Sequence, residues 1–151
     1  LRNPSVAPLL GVDDPGTMGD FLRGKASVSG HFKRMGQNML KIGSNVAFGL
    51  NSVREPYASE MLGSDATSDA IAQMEAELEP DVVIYDMPPA LYHDHVMAFR
   101  EHYDGVLLVV GGGTTKANEV RELKRRFGDD KPLLGVILNK AEGLSISHYS
   151  Y

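Results

Sequence analysis

Three short apolar runs, each stopping at polar residues or glycines, constrain the fold of this 151-residue chain more than any other feature. They cover residues 81–86, 105–110 and 133–138 and stop at Asp86, at glycines 111–113 and at Asn139. None of the runs alternates between apolar and polar residues along its length. Continuous apolar runs of this length are typical of strands in a sheet that is covered on both faces.

Helical patterns separate the three runs. Apolar spacing predicts a helix over residues 65–79, and a second helix that Thr114 or Thr115 caps and Gly128 ends. A third helix is predicted over residues 89–103. Strands that alternate with helices at these lengths predict right-handed crossovers, a parallel sheet and an α/β fold.

The first 60 residues have a weaker pattern, which predicts helices at 17–22 and 32–40 and a fourth, shorter strand at 45–50. Gly19 to Ala26 is similar in spacing to a phosphate-binding loop, but its last position has no hydroxyl for Mg²⁺ and no apolar strand precedes it. We interpret that segment as the end of a helix, with Gly24 as the cap.

Three histidines, His93, His95 and His102, lie close together in the sequence and suggest a metal site. On a helix His93 and His95 point in different directions, and His95 and His102 lie two turns apart, too far for one ion. We therefore predict that these histidines are polar residues facing solvent. Asp94, between them, is a weaker candidate for a base or a supporting carboxylate.

Composition narrows the class of protein. The net charge is −5, so the chain as a whole lacks the excess of basic residues that is typical of nucleic-acid-binding proteins. Lys124, Arg125 and Arg126 form a local basic cluster, which we interpret as the solvated side of a helix. Cysteine is absent, so disulfides and cysteine-based zinc sites are excluded. The longest apolar run has the length of a strand, not of a membrane span. Because the first residue is Leu1, we expect the native protein to extend upstream.

The chemistry is expected at the carboxyl ends of the strands, where open parallel sheets bind ligands. Asp86 could hold a hydrated Mg²⁺ and so organise nucleotide phosphates. Asn139, next to Lys140, could donate and accept hydrogen bonds at a purine edge. Gly111 opens a glycine-rich turn that Thr114 follows. The alternative is that these residues only form turns and start a helix.

Several segments resemble the MinD/ParA/tyrosine-autokinase branch of P-loop ATPases. Asp86 and the double proline after Met87 resemble the Walker B element of that branch. Residues 1–5 resemble the end of the second Walker A-type motif of bacterial tyrosine kinases, an Asp-x-Asp-x-Arg strand of which only the last x and the Arg remain. Further similar segments follow in the family's order, at residues 8–11, 15–24, 55–62, 104–110 and 134–140.

The resemblance implies an ATP-dependent protein-tyrosine autokinase of exopolysaccharide or capsule biosynthesis and export. Its fold would be a P-loop NTPase-like parallel sheet flanked by helices and truncated at the N-terminus. Asp86 would orient Mg²⁺, Arg2 would lie near the phosphates or the subunit contact, and Asn139 near the adenine of ATP. The remaining candidate nucleotide contacts are Gly111, Thr114 and Lys140.

The resemblance also sets expectations for domains, partners and location. Residues 1–144 would be the C-terminal portion of the nucleotide-binding domain, and residues 145–151 a flexible tail whose Tyr149 and Tyr151 accept phosphate from a neighbouring subunit. Partners would be other kinase subunits in a homo-oligomer and a membrane activator or polysaccharide co-polymerase. The protein would be cytoplasmic, at the inner membrane.

Two other functions stay open. A MinD/ParA-like ATPase switch would use the same Asp86 for hydrolysis, and a non-catalytic domain would regulate polysaccharide export by contact alone. No Gly-x₄-Gly-Lys-[Ser/Thr] loop occurs in the chain. We therefore expect these 151 residues alone to bind ATP poorly and to be inactive.

Overall fold

The computed structural model describes residues 1, 6–34, 43–129 and 131–141. The chain divides into two compact units, Leu1–His102 and Tyr103–Tyr151. Both contain helices and a two-stranded sheet, so the chain has an α/β fold, as predicted.

The first unit is mainly helical. Its elements are α1 Val6–Leu9, α2 Met18–Leu22, α3 Val28–His31, β1 Phe32–Arg34, β2 Ala47–Gly49, α4 Ala58–Leu62, α5 Asp65–Leu78, α6 His95–Ala98 and a 3₁₀ turn at Arg100–His102. The second unit is a strand–helix–strand arrangement of β3 Val106–Gly111, α7 Ala117–Phe127 and β4 Leu133–Asn139.

The two strands of the second unit confirm the central prediction for this part of the chain. β3 and β4 pair in parallel, and the helix α7 connects them. The expectation that both faces of the sheet are covered is wrong for the described residues. Leu107, Val109 and Leu134 are exposed, the residues between them are only half-buried, and the last four residues of β4 are all exposed.

The cap predicted for α7 at Thr114 or Thr115 is wrong, because the N-cap lies one residue after Thr115. Lys116 occupies the N-cap position, and its backbone N–H donates to Glu119 Oε2 at 2.7 Å. The helix ends at Gly128, as predicted, because glycine accepts the positive φ of 69° found there. Leu123 and Phe127 are buried, and each such side chain stabilises the fold by about 1.5–3 kcal/mol.

The helix α5 also matches its prediction. Ser64 is the N-cap, and its hydroxyl accepts from the Thr67 backbone N–H at 3.3 Å. Ala70, Ile71 and Met74 are buried on one face, as the spacing predicts. This helix supplies much of the core of the first unit.

The segment from Gly19 to Ala26 is a helix end, as predicted, rather than a phosphate loop. Gly24 has a φ of 69°, and its N–H donates to Phe21 O at 2.9 Å. The N–H of Lys25 donates to Asp20 O at 2.8 Å. This pair of bonds is the Schellman arrangement that terminates helices at a glycine.

The helix predicted at 32–40 is wrong over its described part. Residues 32–34 form β1, which pairs antiparallel with β2, and Phe32 lies opposite Gly49. Pairing between the strands decides the conformation there, and spacing within the segment does not reveal it. Residues 35–40 lie outside the described residues. The strand predicted at 45–50 is confirmed as β2, over Ala47–Gly49.

The strand predicted at 81–86 is not formed. Residues 81–86 are extended loop, and the side chains of Val82 and Ile84 are 75% and 88% exposed. A strand depends on hydrogen bonds to a neighbouring strand, which the pattern within one segment does not reveal.

The helix predicted at 89–103 is mostly wrong. Only α6 and the short 3₁₀ turn after it are helical. His95 is buried and His93 half-buried, with their rings stacked at 5.6 Å, so the prediction that the histidines face solvent is also wrong. The described residues contain no group of three side chains that could hold a metal ion.

An aromatic cluster lies in the core of the first unit. The ring of His31 stacks on Phe21 at 5.2 Å and meets the edge of Phe32 at 5.4 Å. Its Nε2 is buried without a hydrogen-bond partner among the described residues. Burial therefore lowers the pKa of His31 below 6.5; nearby Lys33 lowers it further, and Asp20 opposes the change.

This burial predicts a loss of stability in mild acid. Because the pKa of His31 is lower in the folded chain than in the unfolded one, the unfolded chain takes up the proton first as pH falls. The stabilisation is complete above pH 6.5 and is lost as pH falls toward the folded pKa. The urea midpoint should thus be lower at about pH 5.5 than at about pH 7.5.

The variant His31→Phe keeps a ring on Phe21 and should remove most of this pH dependence, whereas the control His93→Gln should keep it. An unchanged pH dependence in His31→Phe would show that another group is responsible.

Candidate functional site

The carboxyl ends of β3 and β4 lie side by side. Gly111 is opposite Asn139 in the parallel register, and the N–H of Gly112 donates to Asn139 O at 2.7 Å. We call residues 111–115 and 139–140 the paired tips. Two of the three predicted strand ends therefore meet, and they do so in the parallel arrangement that the sequence predicts.

The glycine-rich turn holds itself closed through its two threonines. The N–H of Gly111 donates to Thr115 Oγ1 at 2.9 Å, and Thr114 Oγ1 donates to Gly111 O at 3.2 Å. A Cβ on Gly111 would collide with Thr114 Oγ1, so the turn requires glycine at this position. Both hydroxyls thus have a local role. The nucleotide contacts predicted for Gly111 and Thr114 stay predictions.

The second tip has an unusual backbone. Lys140 has a φ of 55°, in the left-handed region, and its N–H donates to the Oδ1 of Asn139 at 2.8 Å. This bond occupies the acceptor of the Asn139 amide. Its Nδ2 has no hydrogen-bond partner in the described part of the chain, so it is a donor that a ligand could use.

Asp86 lies in the first unit, where its carboxylate is exposed. The predicted convergence of Asp86 with the paired tips stays a prediction.

Three of the predicted site residues, Arg2, Tyr149 and Tyr151, lie outside the described residues. Their roles as a phosphate contact and as phosphate acceptors also stay predictions.

Two other features of the second unit lie away from the tips. Arg125 and Arg126 both donate to Glu122 and lower its pKa to about 2, and all three belong to the solvated side of α7 that the sequence predicts. A cavity of about 250 Å³ reaches from Lys124 to Leu133, at the start of β4. The cavity therefore lies at the amino end of β4, whereas Asn139 lies at the carboxyl end of this strand.

Two features of the structure are absent from the predictions made from the sequence. The hydroxyl of Thr115 fixes the glycine turn, although the sequence suggests it only as a helix cap. An ion pair between Arg23 and Glu55 joins α2 to a loop 32 positions further along the chain. Residues so far apart give no local signal, whereas the Gly-Thr-Thr order itself indicates a side-chain-closed turn.

Comparison with known proteins gives a structural match. No protein-family model matches the sequence, and no curated protein matches it either. Among solved structures, the crystal structure of the VpsO kinase domain matches with a TM-score of 0.76 and 22% sequence identity. The match covers 93% of this chain. The chain has the fold of a kinase domain of this kind.

This likeness confirms the fold expected from the resemblance to bacterial tyrosine kinases. The chain spans 66% of the length of the VpsO kinase domain. No helix among the described residues has the length and apolar character needed to cross a bilayer.

The close contact between the paired tips predicts that adding one methyl group at Gly112 lowers the stability of the fold. A Cβ on Gly112 would lie 2.8 Å from Lys140 O and 3.2 Å from Ala141 Cα, both backbone atoms that cannot rotate away. Gly112→Ala should therefore lower the free energy of unfolding by about 1–3 kcal/mol in urea titrations.

Gly135→Ala is the matched control in the same sheet, because its Cβ would lie an ordinary 3.4 Å from Leu107 Cδ1. It should be neutral or stabilise by up to about 1 kcal/mol. Equal effects of the two variants would contradict the proposed contact between the tips.

Proposed function

We propose that this chain is part of a kinase domain that transfers the γ-phosphoryl group of ATP to tyrosine hydroxyls, in exopolysaccharide or capsule biosynthesis and export. The observation that carries the proposal is the parallel pairing of β3 and β4, which brings the Gly111 turn beside Asn139. The fold shared with the VpsO kinase domain supports it.

The residues present fit ATP and Mg²⁺ chemically. Asp86 is an exposed carboxylate, the ligand type that Mg²⁺ accepts directly or through water. Asn139 has a donor at Nδ2, and a Cβ on Gly113 would meet nothing within 4 Å, so the backbone there is open to a ligand. Bound Mg²⁺ would supply charge neutralisation at the phosphates.

Each residue has a separate task in this proposal. Asp86 orients the metal through water, and Arg2 contacts the phosphates or the neighbouring subunit. Asn139 binds the adenine edge, with Lys140 and the Gly111–Thr114 turn beside it. Positioning and charge neutralisation supply most of the rate, because phosphoryl transfer asks for little covalent chemistry from the protein.

The acceptors and partners follow from the same proposal. Tyr149 and Tyr151 receive phosphate from a neighbouring subunit of a homo-oligomer. A membrane activator or polysaccharide co-polymerase brings the domain to the cytoplasmic side of the inner membrane.

The role of Asp86 predicts the result of an isosteric substitution. Asp86→Asn keeps the shape of the side chain but removes its charge. In the full-length protein it should lower autophosphorylation on an anti-phosphotyrosine blot by about 100-fold or more, as expected for loss of a group that stabilises phosphate charge.

Asp81→Asn is the matched control, because Asp81 is also exposed and lies on the same segment. It should leave the signal unchanged. Wild-type phosphorylation in Asp86→Asn would remove Asp86 from the mechanism.

The tail tyrosines distinguish the kinase from the two other functions. Mass spectrometry of the full-length protein incubated with ATP and Mg²⁺ should find phosphate on Tyr149 or Tyr151 and not on the exposed Tyr57 or Tyr92. An ATPase switch would release phosphate but leave these tyrosines unmodified, and a non-catalytic domain would neither release phosphate nor modify the tyrosines.

A further inference from the structure

The segment that leads to Asp86 has one exposed side and one half-buried side. Val82 and Ile84 are 75% and 88% exposed, and the carboxylate of Asp86 is exposed as well. The residues between them, Val83 and Tyr85, are half-buried. Successive side chains of an extended chain point in opposite directions. Tyr85 therefore faces the protein, whereas the carboxylate next to it faces solvent.

The ring of Tyr85 packs against a buried phenylalanine. The ring centroids of Tyr85 and Phe99 are 4.8 Å apart, and the angle between the two ring planes is 74°. Aromatic pairs prefer this edge-on arrangement, because the positive edge of one ring meets the negative face of the other. Since Tyr85 and Asp86 share a peptide bond, this contact lies one residue away from the carboxylate.

Phe99 is held in place at the end of α6. Its side chain is 3% exposed, and its backbone N–H donates to His95 O at 3.0 Å. Its ring also contacts the ring of His102, with the centroids 4.7 Å apart, and the N–H of His102 donates to Phe99 O at 3.1 Å. Both the ring and the backbone of Phe99 are therefore fixed by neighbours outside the Asp86 segment.

The helix α6 is in turn packed against the end of α4. Val96 of α6 and Leu62 of α4 are 6% and 3% exposed. A Cβ on Gly63, the C-cap of α4, would lie 3.7 Å from Ala98 O, which is an ordinary van der Waals distance. Packing within the first unit thus connects α4 through α6 and Phe99 to the segment that carries Asp86.

We infer that Phe99 is a positioning residue, whose ring holds Tyr85 and thereby fixes the direction of the adjacent Asp86 carboxylate. A carboxylate on an unanchored loop would have to be ordered when the metal binds, and that ordering costs conformational entropy. The consequence for catalysis rests on the proposed function, in which Asp86 orients Mg²⁺. The order of the Asp86 segment does not rest on it.

The substitution Phe99→Leu tests this inference, because leucine keeps an apolar side chain at the buried position but removes the ring. The NMR order parameters of the Tyr85 and Asp86 amides, measured in the full-length protein, should fall from about 0.85, typical of a rigid backbone, to below about 0.6. Tyr85→Leu removes the other ring of the contact and should give the same result. Because Tyr85 is only half-buried, this second variant decides the matter if Phe99→Leu does not fold.

Phe21→Leu is the matched control in the same unit. Phe21 is 2% exposed and, like Phe99, contacts two other rings, those of His31 and Phe32. The same substitution at this position should lower the urea midpoint, as Phe99→Leu does, but should leave the order parameter of Asp86 at its wild-type value. The comparison separates a local loss of order from a general loss of stability.

The activity of the full-length protein supplies a second readout. Phe99→Leu should lower the kcat of autophosphorylation about tenfold and raise the Mg²⁺ concentration that gives the half-maximal rate about threefold or more. At saturating Mg²⁺ the KM for ATP should stay within about twofold of wild type. Phe21→Leu should change neither kcat nor the Mg²⁺ requirement. The double variant of Phe99→Leu with Tyr85→Leu should be no slower than the slower single variant, because both substitutions remove the same contact.

The outcomes distinguish this inference from the proposed function. An unchanged order parameter of Asp86 in Tyr85→Leu, or an equal fall in Phe21→Leu, would overturn the inference, whatever the activity. A lower order parameter with wild-type kcat and Mg²⁺ requirement would also overturn the positioning role. If the wild-type protein transfers no phosphate to tyrosine, the proposed function fails, and the order parameters alone decide whether Phe99 fixes the Asp86 segment.

Discussion

The parallel pairing of β3 with β4 is the constraint on which the candidate site depends. Parallel strands bring their carboxyl ends to the same edge, so Gly111 and Asn139 become neighbours although 27 residues separate them. A slip of one residue would turn every side chain of the moved strand to the other face. Half-buried and exposed residues alternate along most of β3. A change of register would therefore expose the side chains that are now half-buried.

The paired tips are shaped mainly by hydrogen bonds between side chains and their own backbone. The turn after β3 uses threonine hydroxyls to close on Gly111, and the turn after β4 uses the Asn139 amide to hold Lys140 in a left-handed conformation. Both tips are therefore preorganised by side chains that bond to their own backbone.

The sequence predicts those parts of the structure whose causes are local. Capping residues and apolar spacing predict α5 and the end of α2, and the continuous apolar runs predict β3 and β4. The wrong predictions concern segments whose conformation depends on other parts of the chain. Residues 32–34 form a strand because β2 pairs with them, whereas residues 81–86 form no strand although their apolar pattern predicts one.

The same distinction between local and tertiary causes applies to the functional residues and to the contacts around them. Glycine, asparagine and aspartate at the ends of apolar runs identify the residues, because those types suit turns and phosphate or metal ligands. The ion pair of Arg23 with Glu55 and the space that Gly19 leaves for it depend on tertiary packing. No spacing in the sequence could indicate them.

The most direct test of the proposed function, in which Asp86 orients the metal and Asn139 binds the adenine of the same Mg–ATP, uses Mn²⁺ in place of Mg²⁺. Paramagnetic broadening of amide signals would be measured by NMR in the full-length kinase domain with ATP. We predict that the signals of Asp86, Gly112 and Lys140 broaden together, and that Asp86→Asn abolishes the effect at all three. Broadening at Asp86 without broadening at the tips, or the reverse, would contradict the account.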